Sequence, residues 1–136
     1  MSIIDPSPAV GGTRTGQLFS KQVAEARRFF QGPPRQGSGN IVVIGGFERV
    51  ESDYSIQHRR FPFMGIEFVV GGRGTAHLAG GRFDLGPGTI FSYASHKPHD
   101  IATDARRPLA KYFVSTDGRA ALRLMKRVGF VPNTEW

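Results

Sequence analysis

Between residues 41 and 114 the chain is written in short alternating or β-branched apolar runs, and glycine closes nearly every one. Ile41-Val42-Val43-Ile44 stops at Gly45-Gly46, and residues 65–70 stop at Gly71-Gly72. Residues 74–79 stop at Gly80-Gly81, and Phe83-x-Leu85 stops at Gly86-Pro87-Gly88. Runs of this length and period are those of strands, and glycine and proline supply the backbone angles that their corners need. The Gly80-Gly81 pair between Leu78 and Phe83 reads as a hairpin turn. Further strands are expected at residues 47–50, 54–60, 90–93 and 111–114, with His99 opening another. Strands recurring in this way indicate an all-β sandwich or barrel.

The flanks read differently. Residues 1–16 are rich in Pro, Gly, Ser and Thr without periodicity, so a mobile arm is expected over residues 1–19. Ser20 is placed to cap a helix over residues 21–30, with Val23, Ala26 and Phe30 on one face, and GPPRQGSGN after it is a linker. At the other end Ser115-Thr116-Asp117 offers capping oxygens to a helix over residues 118–128, which Gly129 would end. Ala121, Leu124, Met125 and Val128 fall on one face of that helix, either to pack on the barrel or to meet a second copy. The expected organisation is therefore an arm (1–19), a barrel with a leading helix (20–116), and a C-terminal helix with a truncated linker (117–136).

A chain of 136 residues suits one domain. It has no cysteine, which excludes disulfides, thiolate metal sites and a thiol nucleophile. No run approaches the ~20 apolar residues of a membrane span, so no membrane partner is expected. The formal charge of +7 is spread over separate pairs (Arg27-Arg28, Arg59-Arg60, Arg106-Arg107), the pattern of a basic solvated surface rather than a nucleic-acid stripe. There is no Gly-x-Ser-x-Gly elbow, and Gly71-Gly72-Arg73-Gly74 lacks the helix that a phosphate loop requires.

Gly88 followed after five residues by Ala94-Ser95-His96-Lys97-Pro98-His99 resembles the second motif of the cupins, double-stranded β-helix barrels of the jelly-roll type. His58-x-Arg60-x4-Gly65-x6-Gly72 falls in the register of the first. This chain departs from the pattern, with Ala94, His96 and Thr103 where proline, glycine and asparagine are usual. Over residues 47–126 the order of elements, including PLAKYFV and the helix after it, is similar to the effector-sensing N-terminal domain of AraC-type transcription regulators. That resemblance implies a cytoplasmic bacterial sensor that binds a small molecule, often a sugar. Such a sensor is a homodimer and meets DNA only through a helix-turn-helix domain absent from this chain.

The resemblance also frames the site. Metal-binding cupins supply two histidines and a glutamate from the first motif, but here His58 and His99 alone survive of the four ligand positions, with Arg60 and Gly65 where others would stand. A guanidinium repels cations, so no metal or other cofactor and no catalytic residue is expected. The same positions suit a polar organic ligand: Arg60, Glu67, Tyr93 and His99, with His58 behind them, combine a donor fork, an acceptor and aromatic faces. The competing expectation is a stand-alone cupin enzyme, a metal-dependent isomerase or dioxygenase.

Overall fold

The computed structural model describes residues 20–30, 41–79 and 81–130; the expected arm, the linker and residues 131–136 lie outside them. Nine strands and one helix follow in order: β1 Val23–Phe30, β2 Ile41–Val50, β3 Ser55–His58, β4 Met64–Gly71, β5 Gly74–Leu78, β6 Gly81–Leu85, β7 Ile90–Tyr93, β8 His99–Thr103, β9 Ala110–Asp117 and α1 Arg119–Arg127. They form two antiparallel sheets, one ordered β1-β2-β9-β4-β7 and the other β3-β8-β5-β6. The chain crosses repeatedly from one sheet to the other, as a cupin-like jelly roll requires. Val69, Phe91, Ile101 and Leu109 are fully buried in the core between them.

The helix expected over residues 21–30 is instead β1. Ala26, Arg27 and Arg28 carry no intrinsic preference for a strand, but the open edge of β2 offers a ladder of unpaired backbone groups. β1 takes that edge in register from Val23 opposite Val50 to Phe30 opposite Ile44. Gly45 and Gly46 allow it. They do not end a strand but continue β2 opposite Phe29 and Arg28, and the Phe29 ring fills the space that a Cβ on Gly45 would need. The absence of two side chains thus lets a neighbouring strand come close.

β9 runs almost directly into α1. Ser115 and Asp117, expected as capping residues, still belong to the strand, and no side chain caps the helix; Asp117 Oδ1 accepts instead from the Gly118 N–H at 2.8 Å. Lys126 and Arg127 stand in the last turn, where cations complement the helix dipole, and Gly129 at φ 77° follows. The apolar stripe divides. Ala121 and Met125 are buried against Met64 and Ile66 of β4, whereas Leu124 and Val128 remain exposed.

Candidate functional site

Strand alternation brings polar side chains from every strand of the larger sheet to its inner face. Glu48 on β2 lies directly opposite Lys111 on β9. Glu67 on β4 faces Phe113, two residues along from Lys111, and is thus its diagonal neighbour. Arg28 stands in the same relation to Glu48, and Tyr93 to Glu67. The result is a row of alternating charge across β1, β2, β9 and β4 that ends on the Tyr93 hydroxyl of β7. Arg28 donates from Nε and Nη2 to Glu48 Oε1 at 3.0 and 2.9 Å. Lys111 Nζ lies 3.4 Å from Glu48 Oε2 and 2.8 Å from Glu67 Oε2, and the Tyr93 hydroxyl donates to Glu67 Oε1 at 3.1 Å.

Lys111 is 2% exposed, Glu48 5% and Glu67 3%, so each charge depends on its neighbours rather than on water. Burial works against the Lys111 ammonium, yet Glu67, the Tyr54 phenol and Glu48 together outweigh it and hold its pKa well above the usual lysine range. Burial pushes the Tyr93 hydroxyl up, and adjacent Glu67 pushes it further. Tyr54 is raised by burial in spite of Lys111. At neutral pH the row therefore holds a lysine cation and the neutral phenol of Tyr93, and Tyr54 beside it is a second neutral phenol that can donate.

The row turns into the smaller sheet through aromatic stacking. The His99 ring lies on Tyr93 with centroids 3.8 Å apart and planes 13° from parallel, and His99 Nε2 faces His58 Nδ1 at 3.1 Å. His58 stacks in turn on Phe61 at 4.9 Å. Burial, with His58 beside it, lowers the His99 pKa to about 4; burial, with Lys111 nearby, lowers that of His58. Two neutral imidazoles sharing one hydrogen bond fit both shifts.

Above this row lies a cavity of about 650 Å³, within the range of small-molecule sites. Glu48, Glu67, Tyr93, Lys111 and Ser115 contribute to its lining from the larger sheet, and Tyr54, His58 and Phe61 form a side wall. Its lip includes Lys21, Gln22, Arg59 and Arg60. Gln22 ties the lip down: its Nε2 donates to Asp53 O at 2.9 Å and its Oε1 accepts from the Ser55 N–H at 3.1 Å.

Of the residues singled out in the sequence, His58, Arg60, Glu67 and Tyr93 line this one cavity, whereas His99 stands behind His58 and Tyr93 without reaching the wall. Glu48, Tyr54 and Lys111 were missed. The signal for Glu48 and Lys111 is faint: one charge within each of two apolar strands, which alternation assigns to an inner face only once β2 is paired with β9. A metal centre of the cupin kind does not fit these residues. The Tyr93 ring occupies the space beside Gly65, Arg60 is exposed, and among the described residues no group of three or more His, Asp or Glu side chains could hold an ion.

Several solved structures share this fold. The plu4264 protein from Photorhabdus luminescens superposes with a TM-score of 0.56 at 11% identity, covering 91% of this chain and 99% of its own. Ectoine synthase from P. lautus gives 0.54 at 13% identity, covering 87% and 78%. A cupin protein from Bacteroides fragilis gives 0.54 at 12% identity, covering 80% and 89%. At such identities the likeness is one of fold. No curated protein sequence matches the chain. The AraC-like ligand binding domain family, however, matches residues 40–135, which take in every strand from β2 onward and α1. The fold, the order of elements and this match agree, and the chain belongs to the AraC-like ligand binding domains.

Proposed function

We propose that this domain senses a small polar organic molecule, sugars among the candidates, held in the cavity above the charged row. The carrying observation is the floor itself. A cavity meant only to be filled by core packing would be lined with hydrocarbon, whereas this one presents Glu48, Glu67, Lys111 and Tyr93 with their charges already balanced. Carboxylate oxygens keep lone pairs free for ligand hydroxyls, and the faces of Phe61 and Tyr54 suit the apolar side of a ring. Glu67, Tyr93, His58 and Arg60 are the contact residues; His99 orients His58 through the 3.1 Å contact.

Sensing then operates by population shift: the ligand favours one arrangement of the domain and, through α1 or a homodimer contact, sets the posture of a DNA-binding domain outside these residues. A metal-dependent enzyme is the weaker reading, because the donor set falls short of three ligands among the described residues. The test is a thermal-shift screen of sugars, sugar acids and small organic acids against the wild type and Glu67→Gln. A ligand at a hundred times its Kd adds about 2.7 kcal/mol of stability. A binder whose affinity is untouched by Glu67→Gln and Tyr93→Phe would place the ligand elsewhere and refute the proposal.

A further inference from the structure

The charges around the cavity are distributed unevenly, and this selects among polar ligands. At the floor Glu48 is ion-paired with Arg28 and Lys111, and Glu67 is ion-paired with Lys111 and accepts from Tyr93, so the row as a whole is neutral. A carboxylate brought down to it would meet two buried carboxylates and a lysine already shared between them, which is unfavourable in a poorly hydrated site. Hydroxyl groups meet no such penalty, since they can donate to the carboxylates and accept from Lys111 or Tyr54.

The lip is the reverse. Lys21, Arg59 and Arg60 line it, and no acidic side chain accompanies them in the lining above the floor. Arg59 is engaged by Asp100 at 3.1 Å, but Lys21 and Arg60 have no acidic partner among the described residues. Both are exposed, and Arg60 can present two parallel N–H groups to a carboxylate.

Resting on the ligand-sensing reading above, we infer that the cavity takes a polyhydroxylated organic acid, such as a sugar acid, with its hydroxyls turned to the Glu48–Lys111–Glu67 floor and its carboxylate held at the lip by Arg60 and Lys21. A neutral sugar of the same shape would satisfy the floor and leave the lip unused. The acid gains two exposed, salt-screened charge contacts, so the preference for acid over neutral partner is roughly tenfold.

The test is titration calorimetry of the full chain with matched pairs, D-glucuronate against D-glucose and D-galacturonate against D-galactose, at low and moderate salt. The expected result is tighter binding of at least one acid than of its neutral partner by roughly tenfold, shrinking as salt rises. Arg60→Gln with Lys21→Gln should abolish the preference, whereas Arg82→Gln, on the outer side of β6, should keep it. Equal binding within each pair, or a preference that survives the double substitution, overturns the inference while leaving the cavity a ligand site. Silence from all four sugars also overturns it. If the wider screen then finds another binder that depends on Glu67, only the ligand class falls; if it finds none, the sensing reading falls too.

Discussion

Lys111→Met tests the idea that one buried cation holds the cavity floor together. Methionine keeps most of the aliphatic stem, so little packing is lost and the effect isolates the charge. Glu48 keeps its paired contacts from Arg28 at 2.9 and 3.0 Å, but Glu67 is left with only the Tyr93 hydroxyl at 3.1 Å. Glu67 is 3% exposed and cannot turn to water without disturbing the core. Stripping one partner from a buried ion pair costs about 3–5 kcal/mol. At roughly 4 °C per kcal/mol for a domain of this size, the melting temperature should fall by about 12–20 °C. Adding Glu67→Gln removes the stranded charge and should recover roughly 2 kcal/mol, a coupling typical of residues in direct contact. Because the Lys111 pKa is raised, its stabilisation is fully present below the unfolded value of about 10.4 and is lost only as pH rises toward the higher folded value. The gap between wild type and variant should therefore stay level from about pH 6 to 9. Urea unfolding followed by circular dichroism reads the free energies and their pH dependence, and a thermal scan reads the melting temperature. A single variant within about 1 kcal/mol of wild type, or a double variant no better than the single, would refute the reasoning.

The His99 pKa of about 4 lies below the unfolded value of about 6.5, so the stability it carries is present above pH 6.5 and is lost as pH falls toward 4. The loss amounts to about 3 kcal/mol, and His99→Gln should flatten that part of the urea midpoint-versus-pH curve; an unchanged slope would contradict it. Gly65→Ala pushes a methyl group into the Tyr93 ring and should cost about 1–3 kcal/mol in chemical denaturation; a cost under about 0.5 would show that the ring moves freely. Leu124→Glu with Val128→Glu should change stability by less than about 0.5 kcal/mol, whereas Met125→Ala, beneath them, should cost at least about 2. If the proposed homodimer uses this face, sedimentation should show the glutamate variant as a monomer while the wild type is dimeric.

The strands from residue 41 onward were readable because each carries its own period and its own turn residues. The stretch around Ile90–Tyr93 and His99–Thr103 falls where the Gly-Pro-Gly corner and the apolar run place it. β1 was unreadable for the opposite reason: its identity lies in the edge of β2 and in two glycines some twenty residues away, not in its own composition. The site divides in the same way. Glu67 and Tyr93 stand out because each is a polar group inside an apolar run. Lys111 and Glu48 look like ordinary surface charges until the pairing of β2 with β9 sets them face to face. Neither half of that ion pair has meaning alone.

β9 supplies the cavity with Lys111 and Ser115, and its last residue is separated from α1 by Gly118 alone. A one-residue slip would turn Lys111 toward the outer surface and strand both carboxylates, so sliding along its own axis is closed to this strand. What remains is a change in inclination, or fraying of its final residues. Whatever a bound molecule transmits to the helix should arrive as a swing about the Gly118 joint rather than as a piston stroke, and a bulkier residue at 118, where φ is 106°, would stiffen the pivot at the expense of strain.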